Sequence, residues 1–132
     1  MINPNYNLSD LKAALYAAFS KTEVSKTVCV GVRPGATKGI DDFVVIRVIS
    51  LVKDKGGIGN TVCRIELYAR DIYSYENPER LKEMFLSCNS ALAYLSENYP
   101  NYTFESSEQA DRGSDGLDFH SISIDLFTTI KN

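Results

Sequence analysis

Two segments of the chain carry apolar residues at the three- and four-residue spacing of amphipathic helices. The first covers residues of about 8 to 20, and Asn7 or Ser9 is available to cap its N-terminus. In the second, Asn77 precedes a proline in the first helical position, and Pro100 ends the pattern. The apolar stripe of this second segment consists of Leu81, Met84, Phe85, Cys88, Leu92, Leu95 and Tyr99. The pattern predicts one helix in each segment.

Five further segments have the composition or the alternation of β-strands, namely residues 27–33, 42–52, 61–70, 102–104 and 117–130. Residues 61–70 alternate cleanly between apolar and polar side chains, which is typical of a half-buried antiparallel strand. Residues 42–52 are apolar on both faces and too rich in β-branched residues for a helix.

Three segments between these elements look like connections. Residues 36–41 form a loop, and the glycine-rich residues 53–60 form a connector or hairpin loop. Residues 105–116 are polar and nearly free of apolar anchors, which predicts a surface loop. We expect the segments 53–60 and 105–116 to be mobile in an isolated subunit and to become ordered on assembly, because little in the subunit offsets their ordering cost.

The order of the predicted elements is helix, three strands, helix, one short strand and one long strand. Strands joined by short connections usually pair antiparallel, and two amphipathic helices suffice to cover one face of a small sheet. The sequence therefore predicts a single α+β domain over residues 1–132, with an antiparallel sheet of four to five strands and two helices packed on one face.

Composition agrees with one globular domain, because the 132 residues are 44% hydrophobic and 23% charged. The net charge of -3 disfavours a protein that coats nucleic acid. Three cysteines do not form a disulfide framework and suit a reducing compartment. The chain has no apolar run long enough for a bilayer and no signal peptide at its polar start, so we expect a soluble intracellular protein without membrane association.

Catalytic chemistry is poorly supported. His120 is the only histidine, and a lone strand histidine is usually structural. A thiol nucleophile made from His120 with Cys29, Cys63 or Cys88 is conceivable, but the three cysteines lie on apolar faces, where thiols are inert. We expect no catalytic residue and no enzymatic activity.

Two loops superficially resemble ligand sites. The glycines of residues 56–60 precede a strand, whereas a phosphate-binding loop opens a helix. Residues 111–118 have Gly113 in place of a calcium ligand, and they lack the terminal glutamate and flanking helices of a calcium loop. With no zinc-ligand spacing either, the sequence predicts neither a cofactor nor a metal.

The predicted sheet has more apolar side chains than two helices can cover. We expect the helices to cover the face that carries Cys63, Ile65, Leu67, Ile122, Ile124 and Leu126. The opposite face would then carry Tyr68, Phe119, Phe127 and the strand row Phe43, Val45, Arg47, Ile49 and Leu51. We call this opposite side the outer face. It predicts either a further element folded over it or, as we favour, an oligomer interface. The candidate interface residues are Phe43, Val45, Arg47, Ile49, Tyr68 and Phe127. We expect a carboxylate at Val45 or Ile49 to weaken association and leave the subunit folded.

The succession of elements resembles the tail terminator or tail-completion proteins of long-tailed phages. The resemblance rests on the helix segment 11–15, the strand segments 43–47, 64–70 and 121–126, the long helix between the last two, and the acidic loop 111–118. It covers nearly the whole chain as an order of elements, although residues 32–37 have no assigned counterpart.

The resemblance implies a small subunit that assembles into a ring, closes the tail tube and joins it to the head connector. DNA would pass through this ring without sequence readout, and Lys53, Lys55, Arg64 and Arg70 are candidates to line part of the lumen. The protein would assemble in the host cytoplasm and end in the virion tail.

Two other classes of function remain open. A dimeric adaptor of the secretion-chaperone type would use the same apolar face. A small ligand-binding or catalytic domain would need a polar pocket, which Arg47, Tyr68, Tyr73, Tyr75 and His120 could supply.

Overall fold

The computed structural model describes residues 7–49 and 52–131, with residues 53–55 described by their backbone. The elements in chain order are α1 (Leu8–Lys21), β1 (Val28–Val30), β2 (Asp42–Val48), β3 (Lys53–Lys55), β4 (Ile58–Arg70), α2 (Pro78–Asn98), β5 (Tyr102–Ser114) and β6 (Phe119–Lys131). Five strands form the sheet in the order β1-β2-β4-β6-β5, and the short β3 pairs with β4 beyond the end of β2. The α+β class with two helices is confirmed.

The prediction of a purely antiparallel sheet is wrong, because β1 pairs with β2 in parallel. The other strand pairs are antiparallel. The segment between β1 and β2 is long enough to carry the chain back to the starting end of the sheet. This segment runs over the outer face. A tight hairpin joins antiparallel strands and could not return the chain to the starting end of the sheet.

Both helices start at the predicted caps. The Asn7 Oδ1 accepts hydrogen bonds from the backbone N–H of Ser9 (2.8 Å) and Asp10 (3.2 Å). The Asn77 Oδ1 accepts one from the N–H of Arg80 at 3.3 Å. These bonds satisfy backbone N–H donors that have no partner within the helix. Because the capping residues are adjacent in sequence, the helix starts could be predicted from the local sequence.

The predicted loop at residues 105–116 is wrong. Residues as far as Ser114 belong to β5, which pairs with β6 along its length, with two register irregularities. A polar sequence can form this strand because β5 lies at the edge of the sheet, where its backbone pairs on one side and most of its side chains are exposed. Residues 53–60 do form a hairpin, whose strands are β3 and the start of β4.

The main core lies between the helices and one face of the sheet. The apolar stripes of α1 and α2 pack there on alternate residues of β2, β4 and β6. The strand residues predicted to face the helices all belong to this core or pack against it: Cys63, Ile65, Leu67, Ile122, Ile124 and Leu126. Because residues opposite each other in a strand pair share a face, Phe43, Val45 and Arg47 lie with Tyr68, Glu66 and Arg64 on the outer face. Leu51 lies outside the described residues.

Candidate functional site

Part of the outer face is buried under the loop that joins β1 to β2. Phe43, Val45 and Phe119 have no exposed surface, and Ile40 of the loop packs on this second cluster. The Phe43 ring stacks on Tyr68 with centroids 4.4 Å apart and meets Phe119 edge-on at 5.0 Å. The alternative of a further element over this face is therefore realised at one end of the sheet.

Arg33 fastens this loop over the cluster. Its guanidinium carbon lies 5.2 Å from the Phe43 ring centroid, 5.6 Å from that of Tyr68 and 5.7 Å from that of Phe119. The same guanidinium forms an ion pair with Asp115, which lies between β5 and β6. A cation over three aromatic faces and beside a carboxylate ties two distant loops together across the sheet.

The charge of Asp115 is stabilised at this position. Partial burial alone would raise the pKa of its carboxyl group, but Arg33 and the backbone N–H groups of Leu117 and Phe119 outweigh that effect and lower it. These N–H groups donate to Asp115 Oδ1 at 2.7 Å and 3.1 Å. The carboxylate thus holds both the loop that follows β5 and the arginine.

A charged band crosses the middle of the outer face. The Arg47 Nε lies 3.0 Å from the Glu66 Oε1. Arg64 forms a bidentate ion pair with Asp125, in which Nε donates to Oδ1 at 2.8 Å and Nη2 donates to Oδ2 at 3.1 Å. Arg112 of β5 donates to the Ser123 hydroxyl at 2.9 Å. The two ion pairs neutralise Arg47 and Arg64 within the subunit, and the band separates the buried second cluster from the far end of the face.

Beyond the charged band lies an open apolar surface, which we call the distal patch and define as Ile49, Ile58 and Phe127. These side chains are 42%, 45% and 41% exposed. Val62 is the register partner of Phe127, and its carbonyl accepts a hydrogen bond from the Ile49 N–H at 3.0 Å. Ile49, Val62 and Phe127 therefore lie in one row across the sheet, and Ile58 lies further along β4, beyond Asn60.

The structure divides the six predicted interface residues into three groups. Phe43 and Val45 are fully buried within the single chain. Arg47 and Tyr68 are half-buried, whereas Ile49 and Phe127 are exposed. The expectation that a carboxylate at Val45 would leave the subunit folded is corrected, because the loop over Val45 makes its side chain part of the fold.

The predicted lumen residues have partners or lie outside the described side chains. Arg64 is paired with Asp125, as above. Arg70 donates to the carbonyls of Ile40 and Thr37, and its guanidinium carbon lies 4.7 Å from the Phe119 ring centroid. The side chains of Lys53 and Lys55 are outside the described part of the structure.

The opposite end of the molecule carries a second exposed apolar surface, which the sequence analysis did not single out. A tight turn between β4 and α2 presents Ile72, Tyr73 and Tyr75, and Leu117 is exposed in the neighbouring loop. A hydrogen bond of 2.8 Å from the Asp71 N–H to the Asp118 carbonyl joins the two loops. We call this surface the acidic tip and define it by these four side chains. None of the four is acidic, and the name refers to the exposed carboxylates beside them.

His120 lies at the base of this tip. Its Nδ1 is 2.6 Å from the Asp71 Oδ1. This hydrogen bond raises the pKa of His120 above its ordinary value, and the nearby Glu76 and Asp111 act in the same direction. The aspartate was not predicted, because it is 49 residues away in the sequence. In the sheet His120 lies opposite Ala69, and Asp71 follows two residues after Ala69, so the contact depends on the strand register.

The thiols are in apolar surroundings. Burial raises the pKa of Cys63 to about 11, partly opposed by the hydroxyl of Thr128, and that of Cys88 to about 12. Partial burial also raises the pKa of Cys29. None of these environments favours a thiolate at neutral pH.

The residues proposed for a polar pocket lie in two places. Arg47 and Tyr68 meet at Glu66 on the outer face, where the Tyr68 hydroxyl is 3.4 Å from the Glu66 Oε1. His120 is on the helix-facing side of β6, and Tyr73 and Tyr75 are on the exposed turn. A polar cleft of about 690 Å³ lies elsewhere, where Asp42 forms an ion pair with Arg80 at 2.8 Å.

Two general features concern residues 7–49 and 52–131, the part of the chain that the structure describes. No group of three or more His, Cys, Asp or Glu side chains in these ranges is arranged to hold a metal ion. Neither helix in the same ranges combines the length and the apolar character needed to cross a bilayer.

The similarity of the chain to known proteins is structural. No protein-family profile matches the chain, and no curated protein matches its sequence. A chain in the solved structure of the virion of a native gene transfer agent (GTA) particle is similar, with a TM-score of 0.54 and 15% identity. The match covers 96% of this chain and 99% of that chain. At this identity the likeness shows a shared fold over essentially the whole length of both chains.

Proposed function

We propose that the protein is a structural subunit of a phage-like virion, and more specifically a ring-forming tail terminator that joins the tail tube to the head side. The observation that carries the proposal is the full-length likeness to a chain of a gene transfer agent virion. The predicted order of elements supports the narrower assignment, because it resembles tail terminator or tail-completion proteins.

The surface of the subunit supports self-association. Large apolar side chains are exposed at both ends of the sheet, in the distal patch and in the acidic tip. Isolated subunits with two such surfaces would tend to associate, and burying them in an assembly removes their contact with water. The exposed interface residues in this proposal are Ile49 and Phe127, with Arg47 and Tyr68 at the border of the charged band.

The role we propose for the protein is not catalytic. The buried thiols of Cys63 and Cys88, whose pKa values are raised by burial, support this view. DNA would be a passing cargo, since the net charge is -3 and Arg64 is neutralised by Asp125. The partners in this proposal are further copies of the chain, the tail tube and the head connector. Assembly would take place in the host cytoplasm, and the finished ring would remain in the virion tail.

Electron microscopy of the purified protein tests the proposal. We expect ring-shaped particles of uniform diameter with a central opening, and no retardation of linear DNA at physiological salt when these particles are added. Particles with no opening, or single subunits at all concentrations, would contradict the ring. A compact dimer would favour the adaptor alternative.

A further inference from the structure

The turn in the acidic tip is held in an unfavourable backbone conformation. Tyr73 and Ser74 have φ angles of 52° and 67°, which residues with a side chain rarely adopt. Two backbone hydrogen bonds between Ile72 and Tyr75, of 2.8 Å and 3.0 Å, fix the turn. Asn-Gly would suit such a turn better, so the tyrosine is costly for the isolated subunit. Strain of this kind concentrates at binding sites.

The tip presents a large amount of apolar surface on a rigid support. Ile72, Tyr73, Tyr75 and Leu117 are 51%, 91%, 76% and 60% exposed. At ~150 to 250 Å² for a large side chain, this corresponds to on the order of 500 Å², well over half of the ~800 Å² that one partner contributes to a standard interface. Tyrosines held in place lose little entropy on binding and are frequent anchors of protein interfaces.

The charges around the two surfaces have opposite signs. Glu76, Asp111 and Asp118 are exposed beside the tip. At the distal patch, Ile58 of β4 has the exposed Lys131 of β6 as its register partner. On its other side, Ile58 has Lys55 of β3 as its register partner. Phe127 has the acidic Glu105 of β5 as its register partner. An acidic surface and a mainly basic one attract each other and set a relative orientation.

The two surfaces lie at opposite ends of one strand. The tip follows Arg70 at the end of β4, and the distal patch includes Ile58 at its start. At ~3.4 Å per residue along β4, Ile58 lies roughly 40 Å from Arg70, and the row of Ile49 and Phe127 at Val62 lies roughly 27 Å from it. They cannot meet within one subunit, but they can meet between two.

We propose that copies of this chain associate head to tail, with the acidic tip of one subunit docked on the distal patch of the next. This inference rests on the proposed function and names the two surfaces that a ring would use. A head-to-tail contact leaves one free surface at each end of a pair, so it repeats until the ring closes.

Mixing two variants tests this arrangement. The first, Tyr73→Asn with Tyr75→Ser, removes the aromatic anchors, and asparagine tolerates the positive φ, so the fold is retained. The second, Phe127→Asp, places a carboxylate in the patch. Ile58→Asp is a second patch variant, in which the new carboxylate has lysines as both register partners. Tyr16→Ala is the control, because this tyrosine is 48% exposed on α1, an element that belongs to neither surface.

We expect native mass spectrometry to show that each variant alone associates at least tenfold more weakly than the wild type. An equimolar mixture of a tip variant and a patch variant should give a heterodimer of one copy each, because one intact tip and one intact patch remain. Tyr16→Ala should assemble as the wild type does.

Two results would overturn the head-to-tail contact and leave a ring possible: variants that assemble normally, or variants that lose assembly and form no heterodimer when mixed. A wild-type protein that stays monomeric at all concentrations would contradict the proposed function as well.

Discussion

At the scale of single residues, Arg33 stands out because it joins features that are far apart in the sequence. It covers three aromatic rings and pairs with Asp115, 82 residues further along the chain. No local sequence pattern predicts the pairing of Arg33 with Asp115. The sequence therefore predicted the aromatic outer face correctly but could not show that the loop containing Arg33 covers part of it.

Removing the Arg33 side chain tests its role in the fold. We expect Arg33→Ala to lower the free energy of unfolding by about 1 to 3 kcal/mol, because the half-buried Asp115 loses its partner and three rings lose their cation. Urea unfolding measures the change. Lys38→Ala is the matched control, since it removes a positive charge from an exposed position in the same loop. An equal effect of both variants would show that Arg33 acts only through net charge.

His120 predicts a pH dependence of stability. Its pKa in the folded protein is raised by Asp71, so its contribution is fully present below the unfolded pKa of about 6.5 and is lost as the pH rises through the folded pKa. We expect wild type to exceed His120→Gln in stability at pH 5.5 by no more than about 1 kcal/mol, with a smaller difference at pH 8.5. A difference that grows toward high pH, measured by urea unfolding, would contradict this.

At the scale of elements, the helices and β5 show what a sequence can and cannot reveal. Helix α2 was predictable because its cap, its first-turn proline and its apolar stripe are local signals. Strand β5 was not, because its residues are mostly polar and its formation depends on pairing with β6. The parallel pairing of β1 was hidden for a similar reason, since direction depends on the path of the loop that follows.

Hydrogen exchange distinguishes a paired edge strand from a solvated loop at residues 105–114. We expect amides of β5 that point toward β6 to exchange slowly and the intervening amides, which point away from the sheet, to exchange quickly. The register irregularities should interrupt this alternation near Ser107 and Arg112. Uniformly fast exchange across the segment would show that β5 does not form in solution.

At the scale of the whole molecule, the outer face has three parts with different roles. The second cluster belongs to the fold, the charged band is satisfied internally, and the distal patch is exposed. The sequence predicted the side of the sheet for most of these residues, but it did not single out Ile58, and Leu51 lies outside the described residues. It could not separate buried from exposed members, because that depends on a loop without periodic pattern.

Two carboxylate substitutions separate these parts. We expect Val45→Asp to lower the free energy of unfolding by several kcal/mol, because the carboxylate would be buried without a partner. Phe127→Asp should lower it by less, about 1 to 2 kcal/mol, because that side chain is 41% exposed, although the new carboxylate faces Glu105. Circular dichroism during urea unfolding measures both. A fully folded, stable Val45→Asp protein would mean that the loop over residues 43 and 45 opens readily.

The native mass of the wild-type protein, measured beside Phe127→Asp across a range of concentrations, tests the central proposal most directly. We predict one closed wild-type assembly with a defined number of subunits greater than two, and predominantly single subunits for Phe127→Asp at the same concentrations. A wild-type protein that remains a monomer of 14.7 kDa at every concentration would contradict the proposal that this chain forms a ring.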